Sequence, residues 1–347
     1  MKKELKFKSA FFQWGCLGFY NCYAAVYWYL QGMNTDIKCD AKKGKGCDNC
    51  GNCSESLNCL FETIGGQWTS RQSWSGEKTK LQKEIDNNFG NQSNASDNLV
   101  NFIIGFTGFD YKKTDENFKE NVIASIDAGR PVIAKIKKDT LPTDLAKGYR
   151  IIIGYDEDAL IEPDYKPAAD LKSSVAYGEI ECLYIFGEKI LQKYTFLDLL
   201  KVIEKAMDSD FTEGIWFDFL YNFDFEDEKL WEIDDFEIKI RFERLRDISG
   251  WIPNQGHGLQ TAFGDKNLLT MLGVDVHLFS EFLDTIGLQT HLMHNRGYMI
   301  GAICDSAIAL NRNDGLITSA WQILDSIRDC DLQILLAIKK AIRKAVK

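Results

Sequence analysis

Three groups of residues in this chain have types and spacings that could do chemistry. The first is Cys22, in FYNCYAAVYWYL at 19–30. A cysteine in the first turn of a helix gains thiolate character, because the unpaired N–H groups and the macrodipole favour negative charge there. Free cysteine is also among the most buried residue types and packs as a small hydrophobe, so Cys22 reads either as a nucleophile or as a core thiol. The second group is C-x2-C-x2-C at Cys47, Cys50 and Cys53, with Cys39 upstream and Cys59 downstream. Two-residue spacers let successive thiolates turn onto one ion, and four thiolates satisfy a tetrahedral Zn²⁺ or an iron–sulfur cluster. The run lacks the Cys-Pro that closes the bacterial ferredoxin pattern, and a redox-sensitive or disulfide-prone loop is the other reading. The third group is the four histidines, all beyond residue 256. His291 and His294 stand three apart on one helix face, a spacing seen at metal sites. With no third ligand in their neighbourhood, they and His277 read as surface histidines. His257, in the Gly-rich WIPNQGHGL, is placed on a loop.

The elements that must position these groups follow from periodicity. Cys22–Gln31 is expected to be a helix with Asn21 as N-cap and Gly32 at its end. Residues 38–59 are polar, Gly-bearing and Cys-rich, an insertion loop. Helical patterns follow at 79–87 and 96–106, then a third in which Phe118, Val122, Ile123 and Ile126 share a face and Gly129 ends the helix. Strands are expected at Pro131–Lys137, through YRIIIGYDED (149–158), in DALIEP (158–163) and at 176–187. Their connections leave no room for crossover helices, so the sheet is antiparallel. Beyond about residue 190 the texture becomes helical, in 194–208, 266–287 and 302–347, with FEIKIRF (236–242) alone showing strand alternation. The expected class is therefore α+β, with an α+β domain at 1–188 and a mainly helical domain at 189–347.

Bulk properties narrow the function. A formal net charge of −10, with lysines and arginines scattered rather than striped, gives no footprint for a phosphate backbone, so nucleic acid is not an expected partner. No apolar run reaches the ~18 residues of a membrane span. The basic start, with a Glu and no long apolar stretch behind it, reads as cytoplasmic protein rather than a signal peptide, which favours thiols, metal ligation or catalysis over disulfides.

The stretches YNCYAAVYWYL, SIDAGRPVIAKIKK and RIIIGYDEDALIEPD resemble papain-like cysteine enzymes of the bacteriocin-processing peptidase type. ESLNCLFETIGGQW and the two-part chain are similar to the butirosin-biosynthesis acyltransferase family. The resemblance implies a papain-like domain over roughly residues 10–170 and transfer of an acyl group through a thioester, with a peptide or carrier-bound acyl substrate, in peptide or specialised-metabolite biosynthesis. It places the nucleophile at Cys22 and the acid that orients the base at Glu162. The family's base falls on Gly148, beside Lys147 and Tyr149, and its oxyanion glutamine falls on Cys16, leaving Gln13 as a displaced stand-in. Either His257 supplies the base from the second domain, or Tyr149 or Lys147 serves as base with a strongly lowered pKa, or the site has lost its chemistry and the domain binds without catalysis.

Overall fold

The structure, a computed structural model, describes residues 2–7, 19–32, 57, 60–61, 90–91, 94–95, 97–137, 148–163, 175–213, 260, 262–309 and 314–347. Gln13, Cys16, Cys39, Cys47, Cys50, Cys53, Cys59, Lys147, His257, the expected helix at 79–87 and FEIKIRF lie outside the described residues. The chain divides into two units, Met1–Gly65 with Asp86–Thr195, and Gly66–Ile85 with Phe196–Lys347. The described residues of the first combine helices with antiparallel sheets, and those of the second are helical, which makes the class α+β.

The first unit is built from β1 (Lys2–Glu4), α1 (Phe19–Leu30), β2 (Gly90–Asn91), β3 (Asn94–Ala95), α2 (Asp97–Thr107), β4 (Phe109–Thr114), α3 (Phe118–Asp127), β5 (Val132–Ile136), β6 (Tyr149–Ile152), β7 (Gly154–Asp156), β8 (Ala159–Ile161) and β9 (Ile180–Lys189). A four-stranded antiparallel sheet has the order β4-β9-β5-β6, and a three-stranded one β1-β7-β8. The register pairs Lys135 with Tyr149, and Ile133 with both Ile151 and Tyr184. Side chains alternate along a strand, so Tyr149, Ile151, Ile133 and Tyr184 share one face. Phe19 of α1 packs its ring on Tyr149 and Tyr184, which puts α1 on that face. Ala134, Val132, Ile152 and Leu183 point the other way and form a core with Val122 and Ile126 of α3. With a helix on each side, β5 and β6 are covered twice, which is why they read as near-continuous apolar runs.

YRIIIGYDED is two strands rather than the expected one. The break falls at Ile153, whose N–H donates to Ile161 O (2.9 Å) and whose carbonyl accepts from Leu5 N–H (2.8 Å). The chain thereby leaves the four-stranded sheet and enters the smaller one, where Gly154 lies against β1: a Cβ on Gly154 would sit 2.5 Å from Lys3 O. Gly154→Ala is therefore expected to push β1 off β7 and lower stability by about 1–3 kcal/mol, read as a fall in urea midpoint together with faster amide exchange at Lys3 and Leu5. An unchanged midpoint would refute this account of the glycine.

The second unit contains α4 (Phe196–Glu213), α5 (Lys266–Met271), α6 (Ser280–Ala309) and α7 (Asp314–Val346). The helical pattern at 266–287 is interrupted: Asp265 caps α5 by accepting from Leu268 N–H at 2.9 Å, and Gly273, at φ 78°, ends it. α6 then runs on past the expected start at Ala302. Phe196, Phe263 and Phe282 gather edge-to-face, with centroids 5.6–6.3 Å apart, at the foot of α4 and α6. No helix among the described residues is long and apolar enough to cross a membrane.

Candidate active site around Cys22

Helix α1 begins at Phe19, so Asn21 lies inside it and does not cap it; Cys22 is its fourth residue. Gly32, at φ 71°, ends the helix as its position in the sequence suggested. The run FYNCYAAVYWYL is apolar on every side because every side is covered. Tyr23 stacks on Phe61 and Phe186, with centroids 5.5 and 5.4 Å apart, and its hydroxyl meets Thr107 Oγ1 at 2.5 Å. Cys22 is carried into this packing with 0% of its surface exposed.

Tyr149, next to Gly148, lies on the α1 face of β6, fully buried and within electrostatic reach of Cys22. Burial, followed by the neighbouring Cys182, raises its pKa well above the ordinary phenol value, so it remains a phenol and cannot take a proton from a thiol. Gly148 sits at φ 70°, and a Cβ there would meet Ile136 O at 4.0 Å, an ordinary contact. A histidine there would strain the left-handed backbone by ~1–2 kcal/mol.

Glu162 is brought to this region, where Arg150 is paired with it among the described residues. Arg150 Nε lies 3.4 Å from Glu162 Oε2, both side chains are 5% exposed, and Arg150 Nη1 donates to Tyr149 O at 3.0 Å. Sequence reasoning missed Arg150, although the signal was present: it is the one charge in RIIIG, and a buried charge requires a partner. Burial pushes the Cys22 thiol up to about 12; Arg150 opposes this and Glu162 adds to it. At neutral pH the described residues thus hold a protonated thiol and a phenol beside the Arg150–Glu162 pair.

The raised thiol has a consequence for stability. The folded chain keeps the Cys22 proton up to about pH 12, whereas the unfolded chain releases it near the ordinary value of 9.0. This contribution is complete below pH 9 and declines above it by about 1.4 kcal/mol per pH unit. Cys22→Ala is expected to flatten the fall in urea midpoint between about pH 9 and about pH 10, ahead of the tyrosine titrations. An identical slope in the variant would show that the thiol titrates normally.

Among the described residues no three His, Cys, Asp or Glu side chains converge as a metal site. His277 and His291 are exposed, and His291 Nε2 lies 3.3 Å from Asn295 Nδ2. Cys22, Cys182 and Cys304 are buried.

No family model, curated protein or solved structure matches this chain. The functional reading therefore rests on the residues and their geometry.

Proposed function

We propose that the first unit is a papain-like domain whose acyl-transfer centre has been absorbed into the core, and that the protein binds a peptide or carrier-bound acyl group without catalysing its transfer. The order of parts supports the papain-like reading: a cysteine near the head of a buried helix, an antiparallel sheet beneath it, and an acid-Pro pair after the strand that follows GYD. The observation that carries the loss of catalysis is Cys22, sealed from solvent and faced by a buried phenol where thioester chemistry needs a base.

The test is iodoacetamide alkylation of the full-length chain as a function of pH, followed on the Cys22 peptide by mass spectrometry, in wild type and in His257→Ala. Slow labelling that is indifferent to the His257 substitution is expected. Rapid labelling below pH 7 that collapses in His257→Ala would overturn the proposal and restore the acyltransferase, with its base supplied from the second domain.

A further inference from the structure

A second site lies in the first unit, where α2 and β4 meet the segment 190–195. They enclose a pocket of about 430 Å³, within the range of small-molecule sites. Its wall is tied down by backbone and side-chain bonds. Ile190 N–H donates to Gly108 O and Lys193 N–H to Gly105 O, both at 2.9 Å, while Gln192 Nε2 donates to Phe106 O at 2.7 Å. The segment is thereby fixed on the last turn of α2, and Tyr194 lies on Phe102 with ring centroids 4.6 Å apart. Gly105 permits that approach, since a Cβ there would be 2.8 Å from Tyr194 Cε2.

The polar side chains around these rings can donate hydrogen bonds. Tyr111 Oη donates to Asn101 Oδ1, which uses the acceptor of that amide and leaves its N–H pair without a partner among the described residues. Asn98 and Lys193 also line the pocket, and neither side chain has a partner among the described residues. No carboxylate lines it among those residues, although the chain has 51 acidic side chains against 41 basic ones. Asp97, whose charge reaches Tyr111, is held by Lys113 at 2.6 Å. Among the described residues the pocket thus combines aromatic faces with amides and the lysine Lys193, and no carboxylate.

We infer that this pocket binds a small planar ring bearing an anionic group, a carboxylate or a phosphate. The ring packs against Phe102 and Tyr194, and the anion is held by Lys193 with the amides of Asn98 and Asn101. Aromatic stacking rewards the flat ring, and charge-assisted hydrogen bonds reward the anion. The inference is independent of whether Cys22 is catalytic.

Isothermal titration calorimetry on the full chain tests it with four probes: indole-3-carboxylate, phenyl phosphate, the neutral indole-3-carboxamide and the ringless hexanoate. At least one ring anion is expected to bind with Kd below about 1 mM, and hexanoate, which keeps the anion but lacks the ring, about tenfold more weakly, the loss of roughly one aromatic stack. Which of the two ring anions binds identifies the anionic group. Lys193→Met, at an exposed position that leaves the backbone bond to Gly105 intact, is expected to weaken the ring anion about tenfold and leave the carboxamide unchanged. Tyr194→Leu is expected to weaken both indoles. Failure of both ring anions to bind at about 10 mM, or equal binding by wild type and Lys193→Met, overturns the inference.

Discussion

Glu162→Ala is expected to destabilise the first unit by about 3–5 kcal/mol, among the largest effects of any single substitution in this chain. Arg150 and Glu162 are both nearly out of solvent, 3.4 Å apart. Removing the carboxylate leaves a guanidinium that cannot shed its proton and whose remaining hydrogen bond among the described residues is to the Tyr149 carbonyl. The loss is therefore chiefly the penalty of a stranded charge and says little about the net worth of the pair. That distinction gives a second arm: Arg150→Met with Glu162→Leu removes both charges, keeps most of the volume, and is expected to recover most of the loss, since apolar replacement of a buried pair is often neutral or stabilising. Urea midpoints of wild type, single and double variants decide it. A Glu162→Ala chain within about 1 kcal/mol of wild type would mean that water reaches the pair. A double variant as unstable as the single one would mean that the two side chains are held by other parts of the fold.

The sequence made the local elements of the first unit legible because they obey short-range rules. Gly32 and Gly129 end helices through left-handed backbone, and the runs 132–136 and 149–152 are strands with both faces covered. What escaped was whatever depends on partners distant in sequence. β1 is KKE, with no apolar residue, and exists because it pairs with β7, more than 150 positions away. β4, FDYKKT, is a charged strand that pairs with β9 through its backbone, with Lys113 placed over the Tyr184 ring at 5.8 Å. The candidate site divides the same way. Cys22 can be named from its setting at the head of a helix, and Glu162 only from the resemblance. That Glu162 faces Arg150, and that Tyr149 rather than position 148 looks onto α1, follows only from sheet register, which a one-residue difference reverses.

Cys22 in the native chain is expected to react with iodoacetamide at least about 10³-fold more slowly than the same cysteine in the unfolded chain at neutral pH. The factor has a stated origin. Raising the thiol from 9.0 to about 12 lowers the thiolate fraction roughly tenfold per unit over three units. Complete burial then multiplies this by the rarity of the opening that admits the reagent. Two signatures separate these causes. A thiolate-limited reaction gains about tenfold per pH unit through neutrality and on past pH 9 without a plateau, whereas an opening-limited one tracks stability and accelerates as urea is raised through sub-denaturing concentrations. Arg150→Met supplies the sharper probe, because Arg150 opposes the effect of burial on the thiol. Without it, thiol reactivity of the still-folded chain should fall further at fixed pH, even as the weakened fold makes opening more frequent. If Arg150→Met slows labelling, the guanidinium acts on the thiol through its field. If it only speeds labelling, the pair is a structural brace and Cys22 is an ordinary core residue beside it.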